Sequence, residues 1–377
     1  MAGKSAPNWS VLYYRGQFAG GRLSMDEPIA KPDSVRSESL RASEALLTAL
    51  ANDLQPQLID KLLPLLVEHL TPRIADRLQT LLAERMSQAA DSEKPWKKNL
   101  FIPSMDVYRI AADNEFMAYS TCSSRDFLHP EFKRITQMAN IPSVFHRKYW
   151  EWVFIPYRIS SFLGNLSGKR GLGFGVGNEP LSALFAKLGA EVTATDAPEA
   201  IGVASGWHAG GQFSSGANSL LFEGIVTAEL FQRFVSFREC DMTAIPDDLA
   251  DYDFCWSSCC LEHLGSLRAG LDFVIKTVES TLRIGGVACH TTEFNLSSNE
   301  DTVESGPTVI YRRRDIEQFI DELRNRGHEV QDLRIAPDSL VIDYFVDTPP
   351  YLAPPHLKLS LLGFTSTSMG LVIRRGR

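Results

Sequence analysis

Hydrophobic residues in the first quarter of the chain follow a helical period. Leucines, with one isoleucine, recur every three or four residues between positions 47 and 81, so they fall on one helical face. Pro56, Pro64 and Pro72 interrupt this pattern, and a proline inside a helix removes a hydrogen bond and clashes with the preceding turn. We therefore predict short or kinked helices at residues 35–98, after a flexible lead-in at residues 1–34. These helices either cover the rest of the protein or form an oligomerisation or docking arm, and we expect a homo-oligomer through residues 35–90.

Aromatic side chains are concentrated in residues 99–167, which we predict to form a helical, aromatic cap with a lid. The stretch HRKYWEWVFIPYRI, residues 146–159, is typical of a helix that leads into a sheet. The polar segment at residues 120–132 has the composition of a lid. Because large rings dominate core burial, we expect most of the aromatic residues to be structural.

From residue 168 the pattern changes to short apolar runs that alternate with helical ones. The stretch KRGLGFGVGNEPLSALFAKLGAEVTATD predicts a strand, a glycine-rich turn, a helix at about residues 179–188 and a second strand that ends at Asp196. Gly173, Gly175 and Gly177 lack a Cβ, so the backbone of the turn can approach a ligand closely. The helix N-terminus would point N–H groups at that ligand, and Asp196 could accept hydrogen bonds from a ribose. This is the front half of a nucleotide-type cofactor site on an open α/β sheet. Further along, residues 219–231 are predicted to be helical.

The glycine pattern does not fit the nicotinamide fingerprint G-x-G-x-x-G. None of the registers that start at Gly171, Gly173 or Gly175 has glycine in the sixth position. The pattern G-x-G-x-G, followed by Asn-Glu-Pro, instead resembles motif I of class I S-adenosylmethionine (SAM) methyltransferases.

Three later segments extend this resemblance over about residues 168–377. In FRECDMTAIP, Asp241 and Met242 match the acidic residue that faces the adenine in this family and the residue that packs beside it. DYDFCWSSCCLEHLGS is similar to motif IV, with a strand ending at residues 256–257. LRIGGVACHTTEF is similar to the L-x-P-G-G turn and fifth strand, with Ile284 where proline is usual, and SMGLVIRR resembles the terminal antiparallel strand.

The resemblance implies a Rossmann-like, seven-stranded methyltransferase sheet at residues 168–377, with the N-terminal helices as an extension. It implies an enzyme that uses SAM as its cofactor. The cofactor-binding residues carried over from the motifs are Gly173, Gly175, Gly177, Asp196, Asp241, Met242 and Ser257.

Composition limits the partners and the compartment. The chain has 377 residues and a formal charge of -8, and an acidic surface disfavours binding to nucleic acid, so we expect no such partner. It has no apolar run of 18 residues, so we expect no membrane span, and the N-terminus lacks the apolar region of a signal peptide. Six cysteines occur without a C-x-x-C pair, which favours reduced thiols and a cytoplasmic location.

The acceptor side of the site should lie beyond the ends of the fourth and fifth strands. Methyl transfer is an in-line displacement, and an alcohol acceptor needs a base to remove its proton. We take His263 as the candidate base, with Glu262 or Glu293 orienting it or binding an acceptor hydroxyl. The alternative is that the Glu-His pair only caps a helix or holds the loop after the fourth strand.

Two other acceptor chemistries fit the sequence less well. The stretch CCLEHL is similar to the E-x-x-E-H metal site of ubiquinone-pathway and small-RNA O-methyltransferases, but Cys259 stands where the first Glu would be. A thiol weakens a Mg²⁺ site, so we predict no metal. Adenine- and glutamine-modifying N-methyltransferases carry (D/N)-P-P-(Y/F) after strand four, where this chain has Ser-Ser-Cys-Cys at residues 257–260.

Together these patterns predict a methyltransferase acting on oxygen of a carbohydrate or other polar small metabolite. The polar loop at residues 291–307 and the acidic charge favour a saccharide acceptor over an aromatic or lipid one. One alternative is a non-catalytic SAM-fold module that recruits partners. Another is a nicotinamide-dependent oxidoreductase, against which the missing third glycine counts.

Overall fold

The computed structural model describes residues 115–204, 214, 216–349, 351 and 354–377. The predicted lead-in at residues 1–34, the helical arm at residues 35–98 and self-association through residues 35–90 lie outside the described residues. The first part of the predicted cap, residues 99–114, lies outside them too. The fold and the candidate site concern the remainder of the chain.

One mixed sheet organises the described residues. Its longer strands are β1 (Arg170–Phe174), β2 (Glu191–Asp196), β3 (Val235–Glu239), β4 (Tyr252–Ser258), β6 (Leu282–Asn295), β10 (Lys358–Leu361) and β11 (Phe364–Arg374). Two-residue strands are β5 (Gly265–Ser266), β7 (Ser305–Gly306), β8 (Glu329–Val330) and β9 (Val346–Asp347). The order is β3-β2-β1-β4-β6-β11-β10-β9, with β8 also on β11, whereas β5 and β7 pair with each other.

The direction of the strands divides this sheet into two parts. Strands β1, β2, β3, β4 and β6 run parallel, and β11 is antiparallel to both β6 and β10. Because β6 is the fifth strand of the parallel part, this part has the order 3-2-1-4-5 of a doubly wound nucleotide-binding sheet. The predicted seven-stranded architecture is therefore confirmed. The sheet also contains β8 and β9, which the sequence did not predict because two residues are too few to show a strand period.

Helices cover both faces of the sheet. They are α1 (Ser124–Leu128), α2 (Pro130–Met138), α3 (Arg147–Leu163), α4 (Leu181–Lys187), α5 (Glu199–Ala204), α6 (Ala228–Phe234), α7 (Leu267–Lys276) and α8 (Arg313–Asn325). Short 3₁₀ turns lie at Ala217–Leu220, Leu261–His263 and Val341–Tyr344, and a π-turn follows α7 at Thr277–Thr281. The predicted single helix at residues 219–231 is wrong, because this stretch contains the end of a 3₁₀ turn and the start of α6.

Strand β4 shows why the sheet is buried on both sides. Phe254 and Trp256 pack in one core cluster with side chains of α3 and α4. Cys255, between them, packs in the other cluster with side chains of α7 and α8. Successive strand residues point to opposite faces, so an all-apolar run fits a strand that is covered twice.

Helix α3 matches the helix predicted before the first strand. It begins after His146, whose Nδ1 accepts a hydrogen bond from the Lys148 backbone N–H at 3.2 Å. It ends at Leu163 and is followed by Gly164, which has φ 68°. Most of its aromatic residues are buried, as the core interpretation predicts.

The segment predicted as a lid contains α1 and the start of α2. Phe127 and Phe132 are buried in the core, and Asp126 accepts hydrogen bonds from Trp150 Nε1 at 2.7 Å and Met117 N at 3.0 Å. These bonds hold the segment against α3. Among the described residues, no helix has the length and apolar character needed to cross a membrane.

Candidate functional site

A cleft opens at the carboxyl ends of the parallel strands, where ligands bind in open α/β sheets. It is lined by Lys148, Trp152, Gly175, Val176, Gly177, Asn178, Glu179, Asp196, Ala197, Met242, Ser258, Cys259, Cys260 and His263. Its cavity volume is about 100 Å³. This is below the roughly 300 Å³ at the low end of small-molecule sites, so a nucleoside-sized ligand would extend beyond it or widen it.

The glycine turn after β1 forms one wall of the cleft. Gly175 has φ 57° and Gly177 has φ 49°, a left-handed conformation that side chains disfavour. A Cβ on Gly175 would lie 2.8 Å from the Sγ atom of Cys260, another lining residue that packs against the turn. Gly173 is absent from the lining, and its hydrogen faces the Trp256 ring, which a Cβ would approach to 2.5 Å.

Asp196, at the end of β2, is 5% exposed and lines the cleft. Its Oδ2 accepts hydrogen bonds from Gly177 N at 3.1 Å and Ser214 N at 2.9 Å, and its Oδ1 accepts from Ala197 N at 2.8 Å. Burial raises its pKa to about 6 despite these bonds. The carboxylate thus ties the end of β2 to the glycine turn.

The other residues predicted to bind the cofactor lie at different depths. Met242 lines the cleft. Asp241 caps the turn after β3, where its Oδ1 accepts hydrogen bonds from Thr243 N at 2.8 Å and Thr243 Oγ1 at 2.7 Å. Ser257 is buried behind the lining, and its hydroxyl is hydrogen-bonded to His290 Nδ1 at 2.8 Å.

His263, the predicted base, lines the cleft at the β4 side. Its Nδ1 lies 2.9 Å from the carbonyl oxygen of Pro307, and a carbonyl can only accept, so Nδ1 carries the proton. Nε2 then bears the lone pair of the neutral ring. Burial lowers the pKa of His263 to about 4, so the neutral form prevails at neutral pH.

Glu262 and Glu293 lie behind His263 and are buried. Glu262 Oε2 accepts a hydrogen bond from Thr292 Oγ1 at 3.0 Å, and its Oε1 has no partner among the described residues. Burial first, and then the charge of Glu293, raise the pKa of Glu262 well above its ordinary range. Glu293 bonds to Arg147, and it accepts from Ser366 Oγ at 2.6 Å.

A buried ionic network supports the cleft from below. Glu151 accepts hydrogen bonds from Lys148 Nζ at 3.1 Å, Ser258 Oγ at 2.9 Å and Ser368 Oγ at 2.5 Å. Burial raises the pKa of Glu151, but Lys148 and Arg147 outweigh it and hold the pKa at about 2. A buried charge needs such partners, and this set connects α3 to β4 and β11.

Cys259, Glu262 and Glu293 are the described residues whose donor atoms lie close enough to hold a metal, within 4.8 Å of one another. Protein groups already engage two of these donors. The thiol of Cys259 donates to Glu151 Oε1 at 3.2 Å, and the guanidinium of Arg147 binds Glu293. The positive charge of Arg147 beside Glu293 disfavours the binding of a metal cation at the same carboxylate. That the site holds no metal stays our prediction.

Sequence reasoning did not single out Lys148, Trp152 or Glu179 as lining residues. Lys148 and Trp152 lie four apart on α3, on one helical face, which is the signal that could have shown them together. Glu179 lies two residues after Gly177. Its acidic side chain among glycines and apolar residues is the signal that could have marked it as a site residue.

No protein-family model and no curated protein sequence matches this chain. Similar solved structures include the magnesium protoporphyrin IX methyltransferase ChlM from Synechocystis PCC 6803 with bound SAH, at 12% identity over 65% of this chain and 93% of that chain, with a TM-score of 0.37. The CcbJ methyltransferase from Streptomyces caelestis matches at 11% identity over 58% of this chain and 88% of its own, with a TM-score of 0.33.

A further similar structure is the [4+2]-cyclase SpnF, at 17% identity over 47% of this chain, with a TM-score of 0.34. This chain spans 58% of the length of SpnF. The strand order and the antiparallel β11 are those of the sheet that the sequence resemblance predicted.

Proposed function

We propose that the protein is a SAM-dependent methyltransferase that methylates oxygen of a carbohydrate or another polar small molecule. The observation that carries this proposal is one cleft lined by both the left-handed glycine turn and a neutral histidine. The turn suits a nucleoside-type cofactor, and the histidine suits a hydroxyl acceptor.

The residues at the β2 side of the cleft fit the adenosyl part of SAM. Gly175 and Gly177 line the cleft without side chains, so a ligand can approach their backbone closely. Asp196 Oδ1 accepts one hydrogen bond, from Ala197 N, and a carboxylate oxygen can accept two, so it can also accept from a ribose hydroxyl. Met242 would pack against the adenine, while Gly173, Asp241 and Ser257 support the cleft from behind. SAM, when bound, supplies the methyl group on a positively charged sulfur.

The residues at the β4 side fit the acceptor. His263 Nε2 would accept the proton of the acceptor hydroxyl, and the Pro307 carbonyl would hold the resulting imidazolium through Nδ1–H. Ser258 and Lys148 add polar groups beside it. Glu262 and Glu293 would position this segment from behind.

Calorimetry with SAM, S-adenosylhomocysteine (SAH) and NAD tests the cofactor. We expect SAM and SAH to bind and NAD not to bind, and NAD binding alone would favour an oxidoreductase. Mass spectrometry on a panel of polyols, sugars, phenols and amines with SAM then tests the acceptor. A mass gain of one CH₂ on a sugar or polyol supports the proposal, and a gain only on amines would contradict it. SAM binding without turnover on any acceptor would favour a non-catalytic module.

A further inference from the structure

Glu179 is a buried acid on the wall of the cleft. It follows the glycine turn by two residues, is 5% exposed and lines the cleft. Its Oε1 accepts a hydrogen bond from Trp256 Nε1 at 2.6 Å, and Oε2 has no hydrogen-bond partner among the described residues. The indole thus fixes the carboxyl group and leaves one of its oxygens for a ligand.

No lysine or arginine among the described residues forms an ion pair with Glu179. The charged groups that act on it are Lys148 on α3, which favours its ionisation, and Glu151 and Asp196, which oppose it. Lys148 donates instead to Glu151 Oε2 at 3.1 Å and to the Ser258 carbonyl at 3.3 Å. Burial raises the pKa of Glu179 to about 8. A buried carboxyl without a cation is unfavourable as an anion, so a cationic ligand would complete this site.

The hydrogen bond to Trp256 also shows that Glu179 lies at the β4 side of the cleft. Trp256 belongs to β4, whose end carries Ser258 and the following residues up to His263, the proposed acceptor side. Asp196 and Met242, the proposed adenosyl side, belong to the ends of β2 and β3. The transferred methyl group must lie beside the base, so the methionyl end of the cofactor belongs at the β4 side.

We propose that Glu179 is the counter-ion for the cationic methionyl end of SAM. This inference rests on the proposed function. The methionyl end carries an α-ammonium and an α-carboxylate and, in SAM alone, a sulfonium, so it has a net positive charge in SAM; in SAH the ammonium is the remaining cationic group. Binding ionises Glu179, and the released proton leaves to solvent. The affinity for SAM therefore rises with pH up to about 8 and then levels off, above the range in which Asp196 and His263 titrate.

The test compares the wild-type protein with Glu179→Gln, which keeps the shape and an oxygen acceptor for Trp256. Glu239→Gln, at the exposed end of strand β3, is the matched control. Titration calorimetry with SAM and SAH in buffers of different ionisation enthalpy, at pH 6.5 and 8.5, measures both affinity and protons released. A melting temperature within a few degrees of wild type confirms that each variant is folded.

We expect wild-type SAM binding at pH 6.5 to release up to about one proton and Glu179→Gln to lose this release. At pH 8.5 we expect the variant to bind SAM about tenfold or more weakly, the effect of about one pKa unit. An equal loss for SAH identifies the ammonium as the partner, and a smaller loss for SAH identifies the sulfonium. Unchanged SAM affinity and proton release in a folded variant overturn the role of Glu179 alone. A wild-type protein that binds neither ligand overturns the proposed function and this inference with it.

Discussion

At the residue scale, Asp196 has two tasks that the sequence alone could not separate. The motif predicts a ribose ligand, whereas the structure shows a carboxylate that already accepts three backbone hydrogen bonds. Those bonds hold the glycine turn against β2. The residue that we propose as a ribose ligand therefore also shapes the site.

We predict that Asp196→Ala abolishes SAM binding and also destabilises the protein by about 1–3 kcal/mol, because buried N–H groups lose their acceptor. Calorimetry with SAM and urea denaturation measure the two effects. Asp248→Ala, which removes an exposed partner of Arg238, is the control and should change neither by much. Normal SAM affinity in folded Asp196→Ala would remove this residue from the site.

For His263, the motif predicted the residue itself but not the group that orients it. The sequence pointed to Glu262 or Glu293 as the group that orients it. The structure places the Pro307 carbonyl on Nδ1, while Glu262 bonds to Thr292 and Glu293 to Arg147. A backbone carbonyl 44 positions away has no sequence signal, so this partner could not be predicted.

We predict that His263→Ala lowers turnover by about 10²-fold or more and leaves SAM affinity unchanged, as expected for loss of a general base. Because burial lowers its pKa to about 4, the wild-type turnover rate at saturating SAM should stay flat from pH 7 to about 5 and fall only as His263 becomes protonated. A pH–rate profile measures this limb. Full activity in the variant, or a limb near the ordinary histidine pKa of about 6.5, would place the base elsewhere.

At the scale of elements, glycines on β1 make room for large aromatic rings on the neighbouring strand β4. A Cβ on Gly171 would lie 2.3 Å from the Phe254 ring, and one on Gly173 would lie 2.5 Å from the Trp256 ring. These two glycines serve the packing of the sheet, whereas Gly175 and Gly177 shape the cleft. The sequence shows alternate glycines without this distinction, because it depends on which rings the neighbouring strand presents.

We predict that Gly171→Ala destabilises the protein by about 1–3 kcal/mol through overpacking against Phe254. Gly216→Ala is the control, because its backbone is extended and a Cβ would meet nothing within 4 Å. Urea denaturation of both variants measures the difference. Equal stability of the two would show that Phe254 can move aside without cost.

Element boundaries followed the sequence where hydrophobic periods were long. The terminal strand β11 contains most of the SMGLVIRR stretch that predicted it, and helix α3 lies within a few residues of the stretch at residues 146–159. The predicted helix at residues 219–231 failed because Thr227 starts a new helix there, with its Oγ1 accepting from Leu230 N at 3.4 Å. The N-cap residue Thr227, rather than the composition of residues 219–231, determines where this helix begins.

At the scale of the whole molecule, the buried network joins residues that are far apart in the chain. Glu151 on α3 bonds to Ser368 on β11, and Arg147 on α3 bonds to Glu293 on β6. The sequence predicted the sheet, its order of motifs and one wall of the cleft, because those depend on local patterns. It could not predict this network, since only the folded topology brings α3 over the ends of β4, β6 and β11.

Buried titratable groups also give the whole protein a predicted pH dependence. Burial lowers the pKa of His290 and His356 to about 3, so their stabilising effect is present above the unfolded value of about 6.5 and is lost as pH falls. Burial raises the pKa of Glu179 to about 8 and raises that of Glu262. The stability from these two acids is greatest below about pH 4.5 and is lost as pH rises towards 8.

Above pH 6.5 the histidines are neutral in both the folded and unfolded states, and the two buried acids decide the slope. The folded state then holds protons that the unfolded chain has lost, so we predict that the melting temperature falls between pH 6.5 and 8. Each acid contributes up to about 1.4 kcal/mol per pH unit. Glutamine cannot ionise, so Glu179→Gln should make this fall shallower, while Glu239→Gln, on an exposed site, should leave it unchanged. A melting temperature that rises over this range, in melts of the three proteins, would show that these acids are ionised in the folded protein at neutral pH.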